Sequence, residues 1–389
     1  MIAGPILDLE CPVVTAGDIA VINLESSLNR AWNVLRRWPD RPGTAERIVE
    51  EEQQRAQFLG DVTALDRLAN LSSELCEHTP RSADTHLIAA QIASMRHHFA
   101  DAKAHLAHAE TRGADPTISA RLKLTIQQAS GENLDAVLAA RQQIAASRAL
   151  QDLVPLGALL ADLGEFEGAD RTYETAIRHY RHVSPFALAW VCFQRGFLWG
   201  ETVPEPDLEM AGYWYKEAIS YLPGYTHARV HLAEIHLEAG ELEAAESLLL
   251  PIVDSGDPEV RWRLSQVLAV QGRGGDAALQ LALARAAFES LLARHELAFA
   301  DHAAEFYLSS GADHGRACDL ARRNLANRQT LRAFELAHAA ALASGDERFA
   351  SELFARAQAQ WGHMKAFTYS PLAAPSSSAV AVDNTGGEP

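Results

Sequence analysis

The amino-acid sequence predicts an all-α protein built from a repeated pair of helices. Apolar residues recur with helical spacing from about residue 20 to residue 362, and no convincing run alternates as a strand would. Small and apolar residues also recur along this stretch with a nearly constant period. The chain has 389 residues, 48% of them hydrophobic, which is too apolar for a disordered protein. That length suits two or three globular domains or one elongated array.

Charge and cysteine content narrow the possible functions. The chain carries 51 acidic and 34 basic side chains, a net charge of −17. This balance argues against nucleic acid and anionic membranes as partners, since both require phosphate-facing lysine and arginine. Four cysteines lie far apart without a CxxC pair, which excludes a disulfide framework or zinc knuckle. The first residues lack the basic start and unbroken apolar core of a secretory signal, so we expect a cytoplasmic protein.

The N-terminal region, residues 1–43, predicts an arm followed by a capping helix. Asn23–Trp38 has an amphipathic helical pattern that Pro39 stops. This helix would cover the first apolar face of the array, because terminal units need a cap. Residues 11–23 hold enough β-branched side chains for either a short strand or a docked arm.

The clearest repeat unit predicts two helices joined by a tight turn. Leu156 and Leu160 form the apolar face of the first helix, and Gly164 stands at the turn. Ala169 is small where the two helices would cross, and Tyr173 continues the buried stripe of the second helix. One such pair cannot bury its apolar face alone and must stack on neighbours.

This pattern resembles the tetratricopeptide repeat, and it recurs along the chain. Five of the seven steps between successive helix-crossing alanines lie within two residues of a 34-residue period. A proline-containing insert, Glu201–Asp207, lengthens one step, and longer helices are expected within the other long step. A ninth, degenerate unit occupies about 44–77. The helix-crossing alanines are Ala102, Ala136, Ala169, Ala211, Ala245, Ala277, Ala317 and Ala350.

The resemblance implies a right-handed α-solenoid of about eight to nine stacked hairpins over residues 44–362. A flexible tail, residues 363–389, is expected to follow. Members of this family typically hold peptides or partner helices in a concave groove, and the repeat itself carries no chemistry. We therefore expect a non-catalytic protein–protein interaction scaffold of the bacterial multi-repeat type, without a cofactor. The scarcity of lysine, four residues in all, is typical of a GC-rich bacterial genome.

Groove residues can be assigned from the family's register, in which positions 2, 5, 9 and 12 of each first helix face the concave surface. Residues 186–225 hold ten aromatics in forty, against 7% overall. Large aromatics are common binding hot spots. The same stripe could instead be core between repeats, since a one-residue register error reverses the assignment. The predicted groove residues are Trp190, Phe193, Phe197, His227, Glu234, Trp262, Asp301 and Glu305.

Acidic groove positions beside aromatics favour a basic peptide or protein segment with apolar anchors. The alternative is that these acidic residues only solvate the surface. The lysine, arginine and asparagine clamp with which some family members grip acidic C-terminal tails does not recur at these positions.

A metal site is the alternative functional prediction. His227 and His231 are four residues apart, Glu234 follows at the next turn, and such a helix face can ligate zinc or iron. Spacing of this kind is frequent by chance in a chain with 16 histidines. The corresponding function would be an accessory subunit or a metal-assisted enzyme. No phosphate-binding lysine loop, nucleophile elbow or HExxH motif is present.

Overall fold

The computed structural model describes residues 12–373 and contains no strand within that range. Residues 12–373 fold into eighteen α-helices, and a π-helical turn, Leu198–Thr202, extends the tenth of them. The helices are α1 (Gly17–Arg37), α2 (Thr44–Leu59), α3 (Ala64–His78), α4 (Ala83–Met95), α5 (Phe99–Thr111), α6 (Pro116–Ser130), α7 (Leu134–Ile144), α8 (Leu150–Asp162), α9 (Phe166–His179), α10 (Pro185–Phe197), α11 (Leu208–Tyr221), α12 (Thr226–Glu238), α13 (Leu242–Leu249), α14 (Pro258–Val270), α15 (Gly274–Leu308), α16 (His314–Asn327), α17 (Leu331–Ser344) and α18 (Glu347–Trp361).

From α2 onward these helices form nine antiparallel hairpins. The long helix α15 kinks at His295, whose backbone is not helical (φ −141°, ψ 47°). Its first part closes the hairpin that α14 opens, and its second part pairs with α16. This shared helix explains the long step between Ala277 and Ala317. The predicted all-α solenoid of hairpins is confirmed.

Small residues let the two helices of a hairpin approach closely. Seven of the eight predicted crossing alanines are buried, and Ala136, which is exposed, is replaced in the core by Val137. Gly157 lies directly against Tyr173, since a Cβ at this glycine would stand 2.4 Å from the tyrosine ring. The predicted unit therefore packs as its sequence pattern indicates.

First helices of successive hairpins line the inner side of the array. Helix α8 contacts α10, α12 contacts α14, and α15 contacts α17. Elements that touch their second neighbours in this way lie where the curve is tightest. The concave surface is consequently built from first-helix side chains, as the family resemblance implies.

The array also winds back onto itself. His97 at the α4–α5 turn bonds through its Nδ1 to the carbonyl oxygen of Leu297 (3.1 Å), and Asn327 Nδ2 donates to the His97 carbonyl (2.8 Å). Asp66 on α3 pairs with Arg294 and His295 at the kink of α15. These partners are 200 to 230 residues apart in sequence, about six to seven repeats of 34 residues.

Helix α1 begins at Gly17, six residues earlier than predicted, and excludes a strand over residues 17–23. Its buried positions recur every three or four residues, which is the helical period. Leu24 packs in the cluster around α10, whereas Leu28 packs with α2 and α3. Residues 12–16 form a docked extended arm, in which the Thr15 amide donates to the Val183 carbonyl (2.8 Å). Helix α1 thus connects the first hairpin with the middle of the array.

Residues 363–373 are packed against the array, in contrast to the flexible tail expected from residue 363. The Ala366 amide donates to the carbonyl of Leu163 (3.1 Å), and Phe367 and Leu372 are buried. The open apolar end of the last hairpin gains a cover from this packing. Residues 1–11 and 374–389, including the rest of the predicted tail, lie outside the described range. Among the helices that are described, none is long and apolar enough to span a bilayer.

Candidate functional site on the inner surface

Two phenylalanines of α10 form an apolar wall on the inner surface. Phe193 and Phe197 lie one helical turn apart, with ring centroids 6.3 Å apart, and both are only partly buried. The ring of His231 on α12 contacts both, at centroid distances of 5.5 and 6.0 Å. Trp190, one turn earlier on α10, is also partly buried. The predicted stripe is therefore divided between core and accessible surface.

His231 lies at the centre of a carboxylate pair. Its Nδ1 is 2.6 Å from Glu201 Oε1 and 3.2 Å from Glu234 Oε2. Burial by itself lowers the pKa of His231, but the two adjacent carboxylates outweigh that effect and raise this pKa to about 10. The imidazole is consequently protonated at neutral pH.

Ion pairs continue from helix to helix around the inner surface. Arg263 on α14 lies 2.5 Å from Glu234 on α12. Glu259, also on α14, bonds to His302 on α15 at 2.5 Å. Because each pair joins neighbouring first helices, the pairs connect successive hairpins across the concave face.

An arginine of α17 completes this series by reaching back to the region of α10. Arg332 lies 3.4 Å from Glu305 and 3.9 Å from Glu201, and its guanidinium stands 5.4 Å from the Phe197 ring centroid. At 59% exposure it is the most accessible of the arginines here. The inner charge cluster, linked by ion pairs and electrostatic interactions, comprises Asp162, Glu201, His231, Glu234, Glu259, Arg263, Asp301, His302, Glu305, Arg328 and Arg332.

The concave surroundings shift the pKa values of residues in the inner charge cluster, including residues that are exposed to solvent. Asp162 is exposed, yet surrounding protein desolvates it and raises its pKa to about 6 against the opposing charges of Arg328 and Arg332. Burial also disfavours the charged form of His302, but Glu259 and Asp301 prevail and raise its pKa to about 10. Charged side chains are thus held in a space that the surrounding protein partly encloses.

The prediction that Trp262 lines the groove is wrong. This side chain is 2% exposed, packs on Phe288 and Phe306, and donates its indole N–H to Ser310 Oγ (2.9 Å). Its neighbour Arg263 occupies the inner surface and stacks on the indole at 3.7 Å from the ring centroid. A difference of one residue, about 100° of helix rotation, separates core from groove.

The other predicted groove residues divide into two groups. Asp301 and Glu305 belong to the inner charge cluster, where they pair with Arg328 (3.0 Å) and Arg332. His227 lies apart from His231, because its Nε2 faces Asp257 Oδ2 at 3.2 Å. The predicted triad of His227, His231 and Glu234 is therefore not assembled.

Glu201 takes the place that the sequence suggested for His227. Among the described residues, Glu201, His231 and Glu234 bring one potential ligand atom each within 4.8 Å of one another. Glu201 belongs to the π-helical turn after α10, inside the insert that lengthens one repeat. Irregular turns of this kind are frequent at functional sites, and the interrupted period was the available signal.

The hairpin array and its charged concave face define a helical-repeat protein. Residues 208–261, from α11 into α14, match the tetratricopeptide repeat family model. Helices α11 to α14 are therefore similar to the tetratricopeptide repeat, and the hairpins before and after them repeat the same arrangement of paired helices. No curated protein matches it significantly.

Three solved structures that match the chain share little sequence identity with it. The APC/C hetero-tetramer Cut9-Hcn1 matches at 14% identity and a TM-score of 0.46, over 68% of this chain and 50% of that chain. A tetratricopeptide repeat protein from Parabacteroides merdae ATCC 43184 matches at 16% identity and a TM-score of 0.37, over 69% and 98% respectively. The human IFIT1 dimer with PPP-AAAA matches at 13% identity and a TM-score of 0.34, over 87% of this chain and 68% of that chain. The chain thus spans half the length of the Cut9-Hcn1 chain it matches.

Proposed function

We propose that this chain is a non-catalytic interaction scaffold that binds an extended segment or helix of a partner protein on its inner surface. The tetratricopeptide fold supports a protein-interaction scaffold in general. The observation that carries the specific site is the accessible Phe193–Phe197 wall bordered by the inner charge cluster. Partly exposed aromatics beside organised charges provide both apolar anchoring and orientation.

The charge preference we propose is milder than the acidic groove positions alone suggest. Within the inner charge cluster, six carboxylates face three arginines and two histidines with raised pKa values. A charged side chain of the bound segment would therefore have to replace one member of an existing ion pair in this cluster. Arg332 is the residue most easily displaced, because it is exposed and stands 3.9 Å from Glu201. A ligand lysine or arginine that took its place at Glu201 and Glu305 would make binding favour a basic segment with apolar anchors.

Affinity capture with matched variants tests this proposal. Phe193 and Phe197 would be replaced together by alanine, and Phe354→Ala on α18, an exposed phenylalanine distant in sequence, serves as the control. Crosslinking mass spectrometry on the wild-type chain identifies the partner segment, and a synthetic peptide of that segment gives affinities. We expect the double variant to bind at least about 30-fold more weakly and the control to bind normally. Crosslinks confined to second helices, or equal affinity of the folded double variant, would refute the site.

A cytoplasmic location and the lack of a nucleic-acid partner stay predictions from composition. The same capture experiment tests both predictions. A cytoplasmic partner protein would support the first, and unchanged recovery of that partner after nuclease treatment would support the second.

A further inference from the structure

We propose that Glu201, His231 and Glu234 bind a divalent transition-metal ion, for which zinc is the best match. The ligand atoms would be Glu201 Oε1, His231 Nδ1 and Glu234 Oε2, which already converge on one point of the inner surface. This site does not depend on peptide capture, and neither proposal requires the other.

The distances among these atoms suit zinc with small movements. Zinc ligands at about 2.0–2.2 Å in tetrahedral geometry lie about 3.3 Å from each other. His231 Nδ1 is 2.6 Å from the Glu201 oxygen and 3.2 Å from the Glu234 oxygen. Outward shifts of less than an ångström would open the site. The imidazolium then gives its Nδ1 proton to solvent, and the ion replaces that proton between the two carboxylates.

The second oxygen of each carboxylate is directed to an arginine. Glu234 Oε1 is 2.5 Å from Arg263, and Glu201 Oε2 faces Arg332 at 3.9 Å. The imidazole is held by stacking on Tyr215, with ring centroids 5.5 Å apart and planes inclined by 19°. Outer contacts of this kind orient ligands in metal sites, and they leave the inner oxygens directed at His231.

Tyr215 provides an independent indication of a ligand at this point. Its hydroxyl is buried, with 1% of the residue exposed, and makes no hydrogen bond to any residue between 12 and 373. A Cβ placed on Gly200 would stand 3.7 Å from that hydroxyl, so the oxygen points toward the turn that carries Glu201. Buried hydroxyls normally have partners. A water or ligand group at the fourth coordination position of the ion would accept its hydrogen bond.

The donor set favours zinc over the common hard cations. Magnesium and calcium prefer all-oxygen sites, whereas imidazole is a good ligand for zinc and its neighbours. Three protein ligands leave one position open, which is typical of a zinc site that can accept a further group. The apolar wall of Phe193 and Phe197 contacts His231 and borders that position.

Zinc titration of the full chain, stripped with a chelator and competed against a chromophoric chelator, tests the assignment. We expect each chain to bind one zinc ion tightly. Glu201→Gln and His231→Gln should each weaken that affinity at least about tenfold. His227→Gln and His236→Gln on the same helix are the controls and should leave it unchanged. Cobalt substitution should give visible absorption bands of a four-coordinate site in the wild type and both controls.

Two results would overturn the site: no tight equivalent in the wild-type chain, or equal zinc affinity in Glu201→Gln and His227→Gln. Circular dichroism checks that each variant folds. If His231→Gln does not fold, the zinc affinity of Glu201→Gln serves as the test, because Glu201 lies on an exposed turn where the substitution should not disturb folding. Neither result bears on the aromatic anchor of peptide capture, which the phenylalanine variants test separately.

Discussion

Helices α10 and α14 carry large aromatic residues at the inner side of the array, but with opposite environments. Phe197 on α10 is partly buried and lies beside His231 and Arg332. Trp262 on α14 is enclosed by Phe288 and Phe306, and Arg263 covers its outer face. The helix rotation about its axis, and not the residue type, decides which aromatic is available to a partner.

The polar groups beside these two aromatic residues also differ in whether their partners can be exchanged. The indole N–H of Trp262 is satisfied inside the protein by Ser310, so this side chain needs no outside partner. The charged groups around Phe197 form pairs that water can reach, and these can exchange. Helix α14 therefore stabilises the array, and helix α10 presents the surface on which we propose that a partner binds.

Replacing these two aromatics should produce the largest contrast. Trp262→Ala leaves a cavity in the core and is expected to lower the free energy of unfolding by about 3–5 kcal/mol. Phe197→Ala removes less buried area and should cost about 1 kcal/mol or less. Urea unfolding followed by far-UV circular dichroism measures both.

An equal loss of stability in the two variants would show that Phe197 belongs to the core. In that case the proposed aromatic anchor would be wrong, and the inner surface would offer only its charges.

Ser310→Ala should have a smaller effect on the α14 side of the comparison. It leaves the buried indole N–H of Trp262 without an acceptor, at an expected cost of about 1–2 kcal/mol. Ser309→Ala is the matched control, because the hydroxyl of Ser309 bonds to carbonyls of its own helix. Thermal unfolding of both variants should show a clear decrease for Ser310→Ala alone.

The smallest expected effect is a pH dependence from the His302–Glu259 pair. The pKa of His302 is raised from 6.5 to about 10, so its stabilising charge is fully present below pH 6.5 and lost toward pH 10. The pKa of Glu259 is lowered despite burial, through His302, so its contribution is lost only in strong acid. Since 48% of the His302 side chain is exposed, water screening limits the contribution to about 1 kcal/mol.

His302→Gln tests this by urea unfolding at pH 6.5 and pH 10. The wild-type chain should lose about 1 kcal/mol more than the variant over that interval. Parallel losses in both chains would mean that the pair adds no pH-dependent stability.

The fold was accessible from sequence because each hairpin is a local structure. Crossing alanines and the glycine–tyrosine pair of residues 157 and 173 report contacts within about 35 residues. The exceptions are positions where distant parts of the chain intervene. Helix α1 begins early because residues 12–24 dock on α10 and its neighbours, and residues 363–373 are ordered by the α8–α9 turn.

The candidate site was accessible only in part. Helical spacing placed Phe193 and Phe197 on one face and identified His231 and Glu234 as neighbours. It paired His231 with the wrong partner, because Glu201 reaches it from an irregular turn in the preceding hairpin. The role of Arg332 had no local signal, since it meets Glu201 from 131 positions further along the chain.

The spacing of apolar residues over short stretches of the sequence determines the repeat period, the helical class and the number of hairpins. The pairing of inner charges, the burial of Trp262 and the return of the array onto itself depend on how successive hairpins rotate and stack. Those rotations arise from side-chain packing between repeats, where one residue of register exchanges core for surface. The net charge of −17 is set by composition, but which carboxylates remain available to a partner is decided by the arginines and histidines that the winding brings to them.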